Sequence, residues 1–142
     1  MVEESKFGYE NLEVWQKAIN WASEIISLID VLETNRKHFR LIEQLESACS
    51  SVAMNIAEGE GRYSKNEFVQ FLCIARGSLY ETITLLEIYL KQNWIGRDKF
   101  MQIKEMGKEI AKMLNALIKS IKSYQLSRII HEQHCHQSRK FR

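Results

Sequence analysis

Four side chains able to ligate a metal ion, His131, His134, Cys135 and His136, crowd into the segment RIIHEQHCHQ near the C-terminus. On a helix His131 and Cys135 fall four residues apart on one face, a spacing that could hold an opportunistic Zn²⁺ or Ni²⁺. A tetrahedral site needs more ligands, and the only other histidine is His38. The expected state is a solvated polar tail, with no metal and no cofactor. A di-iron bundle would need Glu-x-x-His twice on facing helices, and the sequence does not contain that pair.

A second concentration of polar chemistry is NIAEGEGRYSKNEF at 55–68, with Asn55, Glu58, Gly59, Glu60, Gly61 and Arg62 in close succession. A phosphate cradle would need a preceding strand and a following Gly-Lys-Ser/Thr, and neither is present. SKNE at 64–67 reads instead as a capping box, in which Ser64 accepts from the Glu67 amide and Glu67 returns to the Ser64 amide. Gly59 or Gly61 is expected to supply the left-handed residue that ends the preceding helix. Residues 59–63 then form a tight reversal. Asn55, Glu58 and Arg62 flank that hairpin, and a polar network that locks it is their expected role. A ligand site is the weaker alternative, since buried polar groups and helix ends need partners in any case.

One enzymatic pattern is present. Helical ribonucleases of the HEPN type carry Arg, four to six residues, then His on a helix, and Arg128 with His134 fits that spacing. A catalytic histidine also needs a positioned partner within hydrogen-bond reach, and the sequence identifies none. No serine or cysteine triad is suggested, and the chain is expected not to be an enzyme.

The elements that would position these groups are helices. A chain of 142 residues is long enough for one sizeable core. It has no proline and six glycines, and it is rich in good helix formers. The first helix is expected over 12–32, with Val14, Trp15, Ala18, Trp21, Ala22, Ile25, Leu28, Ile29 and Leu32 at three- and four-residue spacing and Asn11 as its N-cap. Residues 34–37 are polar and break the pattern. The second helix, 38–58, places Leu41, Leu45, Ala48, Cys49, Val52, Ile56 and Ala57 inward. The third, 65–92, does so with Phe68, Phe71, Leu72, Ala75, Leu79, Ile83, Leu86 and Tyr89, and Gly77 in its middle suggests close helix approach. Gly96 is the expected break before a fourth helix that starts near Asp98. That helix uses Phe100, Ile103, Met106, Ile110, Met113, Leu114, Leu117 and Ile121, and its pattern continues through Tyr124, Ile129 and Ile130, beyond what its neighbours can cover. Folding the middle hairpin about 61–62 would set Arg76 beside Glu46 or Ser47, and Cys49 beside Cys73.

The expected fold is all-α, an antiparallel up-down-up-down four-helix bundle with an extended C-terminal helix or tail. It divides into an arm (1–11), the bundle (12–121) and a basic, histidine-containing extension (122–142). No run of about 18 apolar residues exists, so no membrane contact is expected. The acidic start MVEESKFGYE lacks the apolar core of a secretory signal. Three cysteines without metal spacing then read as reduced thiols in a cytoplasmic protein. The net charge of +2 hides an asymmetry, because 122–142 holds five Lys/Arg against one acid while the rest carries seventeen acids and fifteen bases. A mildly acidic body argues against a whole-domain nucleic-acid surface.

YENLEVWQKA, NIAEGEGR, KNEFVQFLCIARGSLYE and KMLNALIKSI, in that order, resemble the four-helix-bundle family encoded in intervening sequences of bacterial 23S rRNA genes. Accessory proteins of diversity-generating retroelements are relatives of that family. The resemblance spans about 7–121 and implies a short-looped bundle, homopentamers and no established enzymatic activity. It also implies Asn55, Glu58, Gly59, Arg62, Gly77, Ser78 and Glu81 as structural motif residues. The retroelement relatives imply, as possible partners, a reverse transcriptase and nucleic acid. One departure is plain: Glu46 and Ser47 stand where the family carries two consecutive basic residues.

Two function classes follow, a non-enzymatic oligomeric scaffold and a metal-independent ribonuclease using Arg128 and His134; an oligomer with no nucleic-acid role is a third reading. In the scaffold, RNA or DNA would meet Lys122, Arg128, Arg139, Lys140 and Arg142. Trp15 and Trp21 lie six residues apart and cannot share one narrow seam. One of them, with Leu12 or Ile26, is therefore expected to face a neighbouring copy.

Overall fold

A computed structural model describes residues 4–32 and 38–140, with side chains through His136. The polar break at 34–37 lies outside the described residues. A short 3-10 turn, Gly8–Asn11, leads into four helices: α1 (Glu13–Asp30), α2 (Phe39–Glu60), α3 (Lys65–Lys91) and α4 (Arg97–Lys140). α1 packs on α2 and α4, and α3 packs on the same two, which leaves both diagonals open. This is the square, up-down-up-down bundle that the apolar spacing demands, and no strand occurs among the described residues.

The core is the set of apolar stripes meeting along the bundle axis. Trp21, Ile25, Leu45, Ile56, Leu72, Leu86, Ile103, Ile110 and Leu114 are fully buried. Each aliphatic side chain among them contributes roughly 1.5–3 kcal/mol by leaving water. Trp21 ties two helices together, since its indole Nε1 donates to the Ile103 carbonyl across 2.9 Å. The glycine at 107 makes room for that ring, because a Cβ there would sit 3.2 Å from Trp21 Cζ2. Tyr89 is also buried, and its hydroxyl has no hydrogen-bond partner among the described residues. Burial, and then the charge of Glu46, push its pKa up to about 12.

Helix ends correct the sequence reading in several places. Leu12, without a side-chain cap, precedes α1, and Asn11 closes the 3-10 turn instead of capping the helix. Neither Gly59 nor Gly61 is left-handed: Gly59 lies inside α2, and Gly61 has φ −73°. Gly59 serves close approach, since a Cβ there would lie 2.6 Å from Phe71 Cβ. Gly77, expected at a close contact, has nothing within 4 Å of its would-be Cβ. Ser64 caps α3 by accepting from the Glu67 amide at 3.3 Å, but the return bond of the box is not formed among the described residues.

The left-handed residue is Asn93, with φ 59°. Its amide donates to the Leu90 carbonyl and that of Trp94 to the Tyr89 carbonyl, both at 3.0 Å, the paired bonds of a Schellman ending. The Trp94 and Tyr89 rings meet edge-on at 5.0 Å and complete it. The break after α3 is therefore made at Asn93, three residues before Gly96.

The hairpin register also differs. Ser51 meets Ser78, and Gly59 faces Phe71, which centres the reversal near Ser64 and not at 61–62. Arg76 accordingly donates to Asn115 on α4 at 2.7 Å, and no Arg76–Glu46 ion pair forms. All three cysteines are free, with Cys49 buried, Cys73 half-buried and Cys135 exposed. Burial pushes the Cys49 thiol up to about 11.

α4 outruns its partners. Its 44 residues against the 27 of α3 correspond to about 66 Å against about 40 Å at ~1.5 Å per residue. Burial along it ends at Ile121.

Candidate functional site

The hairpin motif separates into an inner and an outer part. Inside, Asn55 Nδ2 donates to the Ser51 carbonyl at 2.7 Å and to Ser51 Oγ at 2.8 Å. Ser51 Oγ lies 2.8 Å from Ser78 Oγ, and Thr82 Oγ1 donates to the Ser78 carbonyl at 2.8 Å. These neutral groups, half-buried except for the fully buried Thr82, satisfy one another. The network locks α2 to α3. Ser51 and Thr82 are the members that the sequence does not single out, although their places one turn before Asn55 and one turn after Ser78 are available signals.

Outside, Arg62 pairs with Glu58 at 2.8 Å and its guanidinium lies 4.8 Å above the Phe71 ring. Gly77 and Glu81 are exposed on the outer face of α3, and Glu81 makes no ion pair among the described residues.

The projecting end of α4 carries Lys122 and Arg128 in the open, together with Tyr124, Leu126, Ile129 and Ile130, each about half exposed. Arg128 reaches Glu132 at 3.6 Å, and His134 Nδ1 lies 3.1 Å from the Ile130 carbonyl. Six helical residues turn through about 240° beyond one full turn, so Arg128 and His134 leave the helix in different directions. His131 and Cys135 share a face and are exposed, and among the described residues no three His, Cys, Asp or Glu side chains come together as a metal-binding group. The side chains of Arg139 and Lys140, and Arg142 altogether, lie outside the described residues.

Two apolar grooves score opposite faces of the bundle. The first, about 460 Å³, runs between α1 and α2 beneath Trp15, Ile19, Ile26 and Met54, over a floor of alanines and serines. Tyr9 of the N-terminal turn packs on Trp15 with ring centres 5.1 Å apart. Leu12 and Trp15 are half-buried. Trp21, expected as one of the interface residues, is wholly inside, because its indole reaches α4. The second groove, about 300 Å³, lies between α3 and α4 and is lined by Tyr80, Ile83, Thr84, Lys104, Lys108 and Ala111.

Four short-looped helices around one core, with a polar network between α2 and α3, define an all-α four-helix-bundle protein. The chain belongs to the family of 23S rRNA-intervening sequence proteins, whose family model matches residues 10–116. A crystal structure of a protein of unknown function from the S23 ribosomal protein family of Bacteroides thetaiotaomicron is similar. It is 30% identical with a TM-score of 0.70, and the match covers 75% of this chain and 98% of that one. None of the curated proteins matches the chain. The family match ends before the projecting part of α4. Among the described residues no helix is long and apolar enough to cross a membrane.

Proposed function

We propose that this protein is a non-enzymatic cytoplasmic scaffold that works as a homo-oligomer and presents the projecting ends of α4 to RNA, DNA or a nucleic-acid enzyme such as a reverse transcriptase. The observation that carries the reading is the projection itself. About two-fifths of α4 continues past its last buried residue, Ile121, with Lys122, Arg128 and four large apolar side chains exposed. Past Ile121 the helix is tied to α3 by a single hydrogen bond among the described residues, Gln125 Nε2 to Asn66 Oδ1 at 2.9 Å, so it stabilises the fold little and its length is best used in an interaction.

One projection offers few charges, and phosphate contacts of this kind are sequence-independent and weaken steeply with salt. Several projections on one assembly, five by the family resemblance, could raise apparent affinity by roughly 10² or more where geometry permits. Truncation after Ser123 removes the extension without touching the core. The truncated protein is expected to assemble as the full chain does but to lose salt-sensitive binding to RNA and DNA. Equal binding by both forms, or no binding by either at low salt, overturns the nucleic-acid part of the proposal.

A further inference from the structure

The two grooves differ in charge as well as in position. On α2, Glu46 and Glu43 precede Ser50 of the α1–α2 groove by four and seven residues, so they continue its strip. On α1, Asp30 follows Ile26 by four. All three carboxylates are exposed, and none has an ion-pair partner among the described residues. Along α4 the strip bordering the opposite groove reads Arg97, Met101, Lys104, Lys108, Ala111, Asn115, Lys119 and Lys122 at three- and four-residue spacing. Lys104 and Lys108 line that groove and touch Glu87 at 3.9 Å and Glu105 at 2.9 Å, while Arg97, Lys119 and Lys122 make no ion pair among the described residues. The mildly acidic body is thus polarised, acidic across α1–α2 and basic across α3–α4.

Shape agrees with charge. Met54 is 65% exposed over the first groove, and Tyr80 is 52% exposed beside the second. Gly77 lies one turn before Tyr80, in the middle of a long helix where glycine costs about 1 kcal/mol relative to alanine. Among the described residues nothing comes within 4 Å of a Cβ built there, so they give that glycine no packing use. A helix arriving from outside would.

We infer that copies of this chain assemble head to tail, the acidic α1–α2 face of one seated on the basic α3–α4 face of the next, with Met54 and Trp15 entering beside Tyr80 and Gly77. Unlike faces on opposite sides of a protomer give a heterologous contact, which closes into a ring when the rotation per copy allows. The inference rests on the oligomeric reading above and assigns the surfaces that make it.

Sedimentation across a concentration series tests it with four variants. Glu43→Lys with Glu46→Lys, and Lys104→Glu with Lys108→Glu, should each weaken self-association by roughly tenfold or more, because like charges then face one another. All four substitutions in one chain exchange the two signs and should restore assembly, which also answers the objection that either pair merely unfolds the protein. Gly77→Leu, whose Cβ meets no described atom within 4 Å, should keep its helical signal and lose association. If the wild type assembles but the charge reversals and Gly77→Leu assemble as it does, these faces are not the interface, while the oligomeric reading stands. A monomeric wild type overturns both. If Lys104→Glu with Lys108→Glu assembles normally but loses RNA binding, the basic face serves nucleic acid and the inference fails.

Discussion

Replacing Trp21 with alanine is expected to lower the unfolding free energy by about 3–5 kcal/mol, the usual range for deleting a buried large aromatic. The indole is 0% exposed and spans from α1 to the backbone of α4 at Ile103. It also fills the space that Gly107 leaves open. Truncation leaves a cavity between two helices and strands the network of contacts that holds α4 in place. With total stabilities of about 5–15 kcal/mol for natural domains, a loss of that size is a large share. Trp21→Phe keeps most of the volume and loses the hydrogen bond, so it should cost about 1–2 kcal/mol. Urea unfolding followed by helical circular dichroism measures both. A Trp21→Ala protein with an unchanged midpoint would mean that the ring is not in the core.

Gly59→Val should be nearly as damaging, for the opposite reason. Here the fault is crowding. The added Cβ would lie 2.6 Å from Phe71 Cβ and 3.0 Å from Phe68 Cδ2. Phe71 Cβ is anchored to its own backbone, so rotating a side chain cannot relieve the contact and α2 must move from α3. Overpacking of this kind costs typically about 1–3 kcal/mol, and the branched side chain places valine at the upper end. Gly59→Ala should cost less, since alanine recovers roughly 1 kcal/mol of helix propensity. If Gly59→Ala instead raised the unfolding midpoint, the position would be open, as a turn glycine is, and Gly59 would not be packed against Phe71.

Gly59 and Gly77 mark the limit of what apolar spacing can tell. Both interrupt amphipathic patterns, and spacing alone does not distinguish a glycine that admits a neighbour from one that faces solvent. Apolar periodicity locates all four helices, because burial of one stripe is a local property of each segment. Their ends are less legible: Asn93 takes the left-handed conformation that Gly59, Gly61 and Gly96 are better suited to hold. The hairpin register is hidden for a related reason. Extending α2 through Gly59 and Glu60 moves the reversal, and with it every cross-helix pair, so Arg76 finds Asn115 instead of Glu46. Of the motif residues, Asn55 and Ser78 are legible as a polar lock. Gly77 and Glu81 are not separable from it until α3 places them outward. The basic strip on α4 is hard to see in the sequence because its lysines are spread over 26 positions from Arg97 to Lys122 and diluted by the acids of the body. Only a helix gathers them on one side.

Whether this bundle works as an assembly is tested most directly by sedimentation equilibrium of the full-length protein at micromolar concentration and moderate salt. The expected result is one species several times the 16.7 kDa chain mass, fivefold by the family resemblance. A single species at 16.7 kDa across the whole concentration range would contradict it.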